Sequence, residues 1–449
     1  MNQPLCSQKS MEEICCKIWT EPILFKEKCE PKIGLEMEFH IYDKETWLPF
    51  GVTKEKSNPQ KLFHAIAQKN LNSIKNFDEN SDLIFSVTLA NNGNWSCEPG
   101  GQWEYSSAPH LNLEDLANDV YSSLNALEAA GNSEFVYLSH GTNPLAKADH
   151  PLVLNKQRYQ IMTRYFQSAP KNIRGIDMMR HSATVQTNID ILGYKEWQDA
   201  VKLSMALTPI TIQMFANSKY FQNKKSIFFS ERQKIWENMD PSRSGFFSKI
   251  DTSQNSFCLE GAYATWAKNA FVFLVSELPA EEQPLFGELT FRQWMQNGYK
   301  GTFPKIQDWQ THLGTLFPYL RLRQFLEIRQ IDAQPFEHTF ANAAFFYSIL
   351  HHDETRQMCW DLLKKHNVSL SEIHLMKSYN YSNLFDPLLE LSKSILNDLG
   401  QKIGVHSISA YQKFLKEKEV YWNAKDALEF VRLRSTQTPA KDFTKFLSS

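Results

Sequence analysis

The stretch Ile33-Gly34-Leu35-Glu36-Met37-Glu38-Phe39-His40-Ile41-Tyr42 alternates, with Leu35, Met37, Phe39 and Ile41 on one side and Glu36, Glu38, His40 and Tyr42 on the other. Successive side chains of a strand point to opposite faces, so this period of two predicts a half-buried strand with one acidic face. Downstream, residues 83–90 read as a second apolar strand. After the turn Asn91-Asn92-Gly93 a third runs into Pro99-Gly100-Gly101, and residues 102–106 return antiparallel. Leu113, Leu116, Val120, Leu124 and Leu127 follow helical spacing, with Asn112 placed to cap the start and Gly131 the end. That helix should cover one face of the sheet. Residues 135–139 read as another strand, and 181–191 as the longest alternating one, with Ser182, Thr184, Gln186, Asn188 and Asp190 on its polar face. From about Trp197 onward the pattern is mainly helical. It includes an apolar, helix-like run (Leu313, Leu316, Phe317, Leu320, Leu322, Phe325, Leu326) that closes on Glu327-Ile328-Arg329. The fold class predicted is α+β, an antiparallel sheet packed with many helices.

Composition sets the outer limits. With 449 residues, 42% of them apolar, the chain can bury a sizeable core. Lys+Arg total 48 against Asp+Glu 50, and a net charge of −2 creates no field that gathers nucleic acid or an anionic membrane surface. Residues 1–19 lack the apolar stretch of a signal peptide, and no run approaches the roughly 20 apolar residues of a membrane helix. The expected setting is the cytoplasm, with no nucleic-acid and no membrane partner. Seven scattered cysteines without paired CxxC spacing read as reduced thiols. Cys15-Cys16 beside Cys29 suggests a metal or redox cluster only weakly, because no histidine or further cysteine completes a ligand set. No repeat, low-complexity tract or linker marks a boundary, so residues 1–449 read as one domain.

Two strands with fully polar faces need an explanation. Solvent exposure is the plain one, but Thr, Gln, Asn and Asp are poor choices for decorating a strand, and such a face suits a charged ligand. Glu36 and Glu38 project from one strand face, and Glu98 and Glu104 flank the turn, so all four can converge at one end of an antiparallel sheet. Taken singly each is a surface charge. Together they repel unless cations lie between them, and oxygen-only ligands suit Mg²⁺ or Mn²⁺ held beside substrate phosphates. Pro99-Gly100-Gly101 is a hairpin turn or, on weak evidence, a phosphate contact. There is no GxxxxGK[ST] and no GxGxxG after a strand, so an ATP site here is not of P-loop or Rossmann type. Ser230 and Gln233 form a helix-start pair that puts Arg232 and Trp236 one turn apart on one face, either packed together or holding a substrate carboxylate. Asp240-Pro241-Ser242-Arg243-Ser244-Gly245 supplies a turn with a second arginine. Glu327 and Arg329 read as an ion pair, or as a metal-binding acid beside a phosphate-binding base.

These motifs together resemble the plant-type glutamate–cysteine ligases, a family also found in bacteria. Gly34-Leu35-Glu36-Met37-Glu38 resembles the family's GxExE, and Glu98 to Glu104 with Ser106-Ser107-Ala108-Pro109 resembles EPGGQFE…S.AP. Arg158-Tyr159-Gln160-Ile161-Met162 resembles RYxIM, and Asp177-Met178-Met179 to Asp190 resembles DMM…TVQxNxD. Ala216-Asn217-Ser218, Arg232…Trp236…Asp240…Arg243…Gly245, Thr290-Phe291-Arg292, His312-Leu313 to Pro318 and Leu320-Arg321 to Asp332 continue the series.

The resemblance implies a glutamine-synthetase-like sheet holding Mg²⁺ between ATP and substrate. It implies phosphorylation of the glutamate γ-carboxylate by ATP, then displacement of phosphate by the amine of cysteine, giving γ-glutamylcysteine for glutathione or a related thiol. Carried over, Glu36, Glu38, Glu98, Glu104 and Glu327 are the expected metal-binding acids, a cage with the hairpin as one wall. Glu104 and Arg329 are the expected catalytic residues, Arg329 stabilising the transferring phosphoryl. Arg232, Trp236, Thr184, Gln186 and Met179 are expected around glutamate, and Asn188, Arg243 and Arg329 toward ATP phosphate or the acceptor. The expected assembly is a monomer or a homodimer. Plant members read RTCTVQ where this chain reads His181-Ser182-Ala183-Thr184-Val185-Gln186, so an arginine beside the glutamate site is replaced by His181 or shifted to Arg180. Ala117 stands where plant members carry a cysteine of a regulatory disulfide. Residues from about 390 to 449 match loosely and read as a divergent, mainly helical segment. The alternatives are a γ-glutamyl ligase for another amine, and an inactive metal-binding or interaction protein on the same fold.

Overall fold

The predicted acidic strand is the axis of the molecule. In the computed structural model, β1 spans Ile33–Asp43 and is followed by β2 (Ile74–Phe77), β3 (Ile84–Thr88), β4 (Asn94–Cys97), β5 (Trp103–Ser106), β6 (Phe135–Leu138) and β7 (Val185–Ile189). Two short ribbons come next, β8 (Tyr220–Phe221) with β9 (Lys224–Lys225), and β10 (Ser244–Gly245) with β11 (Phe317–Pro318), before β12 (Leu320–Leu322) and β13 (Leu326–Ile328). The structure describes residues 30–446 except 52–58, 78–81, 132, 146, 148–151, 154–155, 248–258, 324 and 369–379. Cys15, Cys16 and Cys29 lie outside the described residues.

Nine strands form one sheet in the order β12-β13-β7-β1-β5-β4-β3-β2, with β6 pairing the C-terminal half of β1, and every pairing is antiparallel. Together with fifteen α-helices among the described residues, this is the α+β class predicted. Alternation decides which face is which. Leu35, Met37, Phe39, Trp95, Trp103, Val185, Ile189, Leu326 and Ile328 are all buried in one core. The predicted helix, Leu113–Gly131, packs on that side, and Asn112 accepts from the N–H of Asp115 at its start (2.8 Å). The helix Phe340–Leu350 lies against β1 and β7 with all eleven residues buried, which is why it carries no polar stripe. Phe39 makes edge-on contacts with Trp95, Tyr137 and Phe336 at centroid distances of 5.4–6.1 Å, and burying a side chain of this size stabilises by about 1.5–3 kcal/mol.

The C-terminal helices Ser382–Asp398 and Lys402–Tyr421 pack on Phe340–Leu350 and add Leu396, Ile408 and Tyr411 to the same core. Tyr411 Oη and Lys418 Nζ both donate to the carbonyl of Met214 (2.9 and 2.8 Å). Among the described residues, no helix is long and apolar enough to cross a membrane.

Two expectations are corrected. The run ending in Glu327-Ile328-Arg329 is not helical beyond Gly314, where the helix Ile306–Gly314 ends. Leu320, Leu322, Leu326 and Ile328 alternate with Arg321 and Glu327, and pairing to β7 turns that alternation into two further sheet strands. Second, residues 181–184 are not strand. His181 ends the helix Gly175–His181, and β7 begins at Val185.

The hairpin glycines have a steric reason. Gly101 sits at φ +88°, in the left-handed region, and a Cβ on Gly100 would overlap the backbone carbonyl of Arg180. Close approach of the hairpin to the helix Gly175–His181 therefore requires glycine. Gly100→Ala is expected to destabilise by about 1–3 kcal/mol through overpacking, readable as a lowered midpoint in urea with an unchanged slope.

Candidate active site

The register assembles one polar face. Glu38 lies directly opposite Glu104 across β1 and β5, and Glu104 opposite Ser96 on β4. Glu36 is flanked by Ser106 on one side and Gln186 on the other. Asn188 lies opposite Glu327, and Glu327 opposite Arg321. Because side chains alternate, Glu36, Glu38, Glu104, Gln186, Asn188, Glu327 and Arg321 share the face turned away from the apolar core. Gln186 and Thr184 are 2% and 3% exposed. Solvent decoration therefore does not explain the polar strand.

Hydrogen bonds fix the acids singly. Glu36 Oε1 accepts from Asn188 Nδ2 (2.7 Å), Glu38 Oε2 from the Thr184 N–H (2.9 Å), and Glu104 Oε1 from the Ser106 hydroxyl (3.0 Å). Like charges directly opposite one another in a sheet are destabilising. Burial and then Glu98 push Glu38 up to about 8. Burial, then Glu98, Glu36 and Glu38, hold Glu104 well above the usual carboxylate range. Burial, then Glu327, raises Glu36, and burial raises Glu98 against the pull of Lys156.

Such acids bind protons in the folded state that the unfolded chain has already lost, so the linkage sign is negative. The stability they confer on metal-free protein is present at acid pH and is lost as pH rises from near 4.5 towards about 8. His140, His312, His338 and His351, held low by burial, pull Tm the other way below about pH 6.5, so the acids are read in a difference: the Tm gap between protein in excess Mg²⁺ and protein in a chelator should widen as pH rises across that window, and a constant or narrowing gap would contradict this account.

Glu327 behaves differently. Arg321 Nη1 donates to its Oε1 and Arg323 Nε to its Oε2, both at 2.8 Å, and Arg329 Nη1 also donates to Oε1. Burial alone would raise its carboxyl, but Arg321, Arg329 and Arg323 outweigh that and hold it down at about 2. Three guanidiniums on one carboxylate leave excess positive charge facing Glu36 and Glu38. Arg329 also reaches Gln186 Oε1 (2.6 Å).

This revises the predicted five-acid cage. Among the described residues no group of three His, Cys, Asp or Glu side chains is close enough to hold a metal ion. Glu327 is drawn to the arginines, Glu36, Glu38 and Glu104 stand at sheet spacing, and Glu98 lies in the turn that follows β4. The donor chemistry still fits Mg²⁺, which typically takes one or two carboxylates together with waters and substrate phosphates. Glu38 and Glu104, adjacent, oxygen-only and mutually repelling, are the pair that fits best.

Arg232 and Trp236 do meet, the guanidinium lying 4.8 Å from the ring centroid. Ser230 caps their helix, Glu231–Glu237, by accepting from the Gln233 N–H. Arg232 is only 1% exposed and donates to the carbonyls of Arg329 (2.9 Å) and Gln330 (3.4 Å), so it braces the backbone beneath Trp236. The Arg329 guanidinium lies over the same ring, 6.0 Å from its centroid. Met179 is buried in the apolar cluster that includes Trp236. Arg243 does not join the face. It is fully buried, paired with Asp240 Oδ2 (2.8 Å), and donates to the carbonyls of Thr315 (3.0 Å) and Phe271. With its donors spent inside the protein, it is a packing residue and not a phosphate contact. His181 is buried against Phe221, 5.7 Å between centroids. A cavity of about 710 Å³ opens at the Glu36 end, lined by Gly34, Glu36, Ser107, Asn188, Asp190 and Phe325.

The sequence marks Arg321 and Asp332 only as motif positions, with no role, and does not single out Arg323. The signal was present in the Leu-Arg-Leu alternation of residues 320–322, which a helical reading of that run conceals.

Residues 32–382, more than three quarters of the chain, match the family model described as Glutamate-cysteine ligase family 2 (GCS2). The chain is similar to the chloroplastic glutamate–cysteine ligase of Arabidopsis thaliana, 30% identical over 280 residues, covering 60% of this chain and 51% of that protein. It is similar to glutamate–cysteine ligase B of Oryza sativa subsp. japonica, also chloroplastic, 32% identical over 272 residues, 60% of this chain and 53% of that one. The chain thus spans about half the length of the curated relatives it matches. Its fold is similar to that in the crystal structure of glutamate–cysteine ligase from Francisella tularensis in complex with AMP, with a TM-score of 0.51 at 11% identity over 93% of this chain and 90% of that one. On the extent of the family match, the chain belongs to Glutamate-cysteine ligase family 2.

Proposed function

We propose that the protein is an ATP- and Mg²⁺-dependent ligase that joins the γ-carboxylate of glutamate to the amine of cysteine. The carrying observation is the single polar face on which Glu36, Glu38 and Glu104 confront Arg329, backed by Arg321 and Arg323 around Glu327. Repelling carboxylates beside excess positive charge suit a substrate that brings its own phosphates and a divalent cation.

In this reading the γ-phosphoryl passes from ATP to a γ-carboxylate oxygen of glutamate, releasing ADP. The amine nitrogen then attacks the acyl carbon, phosphate leaves, and the nitrogen loses a proton. Glu38 and Glu104, with Glu36 and Glu98 alongside, would hold Mg²⁺, which when bound would neutralise charge on the phosphates. Arg329, kept in place by Glu327 and Gln186, meets the charge that develops on the transferring group. The cavity of about 710 Å³ at the Glu36 end has room for a nucleotide. Trp236 and Met179, with Arg232 behind them, wall the glutamate end. A reducing, cytoplasmic setting goes with the buried free thiols Cys97 and Cys359.

The test is ADP release with ATP, Mg²⁺ and glutamate, screening cysteine against other amines. Cysteine is expected to give the largest release. Release with some other amine alone would replace the acceptor, and none with any amine from folded protein would overturn the ligase.

A further inference from the structure

Four donors converge on the carboxylate of Asp332, which is 2% exposed. The Asn217 N–H (2.8 Å) and the Ser218 hydroxyl (2.7 Å) donate to Oδ2, the Ser230 hydroxyl (2.9 Å) donates to Oδ1, and Arg232 Nη1 stands 3.7 Å from Oδ1. A carboxylate buried this deeply needs such partners to offset its lost hydration. Capping the helix Glu231–Glu237 does not require it, since Ser230 already accepts from the Gln233 N–H. What Asp332 adds is a carboxylate 3.7 Å from Arg232 Nη1, whose charge burial opposes and Arg232 favours.

Arg232 passes that constraint on. Its Nη2 donates to the carbonyl of Arg329 and its Nη1 to that of Gln330, and Thr184 Oγ1 holds the next carbonyl, that of Ile331 (2.6 Å). The backbone leaving β13 is therefore pinned from one side by Thr184 and from the other by a guanidinium that Asp332 anchors. The side chain of Arg329 springs from this backbone and reaches Gln186 and Glu327 on the polar face.

We propose that Asp332 is a positioning residue: acting through Arg232, it locks the backbone at residues 329–330 and so aims Arg329 at the transferring group. The proposal rests on the ligase reading above. The network extends past the family-matched residues, because Trp422 Nε1 donates to Asn217 Oδ1 (3.3 Å) and so braces the residue whose N–H holds Oδ2.

Asp332→Asn isolates the charge. Its amide oxygen can accept from Asn217 and Ser218 as before, while its NH₂ faces Ser230, whose oxygen can accept, and Arg232, which cannot. The contacts that organise the fold survive, and attraction to Arg232 is lost. Full-length Asp332→Asn, Arg232→Lys and the double variant would be compared with wild type by ADP release, measuring kcat and the KM for ATP, and by thermal melting. We expect Asp332→Asn to lower kcat by about tenfold with the KM for ATP within about twofold. The double variant should fall no further than the worse single, in kcat and in Tm, because both act on one contact. A kcat within about twofold of wild type, or additive losses in the double variant, would overturn the proposal while leaving the ligase reading intact. A wild-type protein silent with every amine would remove both. If Asp332→Asn does not fold, Ser218→Ala, which removes one donor to Oδ2 together with the acceptor of the Arg232 N–H and the contact to Ser230, carries the test: a drop in kcat of about threefold with the KM for ATP unchanged supports positioning, and an unchanged kcat overturns it.

Discussion

Arg329→Lys is expected to reduce ADP release on the order of a thousandfold while the protein stays folded. A guanidinium offers donors in a fixed planar fork, and Arg329 spends Nη1 on Gln186 and Glu327 while its charge lies 6.0 Å from the Trp236 ring centroid. Lysine would keep the charge and lose the fork. Stability should change little, because Glu327 retains Arg321 and Arg323 at 2.8 Å and is not left as an unpaired buried charge. Steady-state ADP release with saturating glutamate and cysteine, beside a urea titration, separates the two effects. Turnover within about tenfold of wild type would exclude Arg329 from the phosphoryl-transfer step.

Glu104→Gln should cost turnover at least a hundredfold and leave the metal-free protein as stable as wild type or more so. The signs differ because one carboxylate serves two states. Without a cation, burial and the charges of Glu98, Glu36 and Glu38 make ionised Glu104 unfavourable, and a neutral isostere relieves that. With Mg²⁺ and ATP present, the same charge is what the cation needs. The decisive pair of measurements is ADP release and Tm in chelator. Near-normal release would take the hairpin out of the mechanism, and a collapse in Tm would make Glu104 a structural residue.

Much of this was legible along the chain. The alternation at Glu36 and Glu38, the turn at Pro99-Gly100-Gly101 and the polar face of Gln186 and Asn188 are local patterns, and period two needs no partner to be read. The family resemblance rests on the same local motifs. Arg321 and Arg323 escaped because Leu313, Leu316, Phe317 and Leu320 repeat at helical intervals, and only pairing of β12 and β13 to β7 settles the period. The surroundings of Arg243 are hidden for a related reason: nothing near the turn that carries it announces that Asp240, Thr315 and Phe271 close around it.

By itself, then, the sequence determined the strand faces, the α+β class and the inventory of acids, because alternation and turn chemistry act over a few residues. Tertiary structure decided which charges meet. It set Glu38 against Glu104, gathered three arginines on Glu327, and placed Arg232 between Asp332 and the backbone of Arg329. Electrostatic energy depends on separations of a few ångströms and on burial, and both are fixed only when distant segments pack.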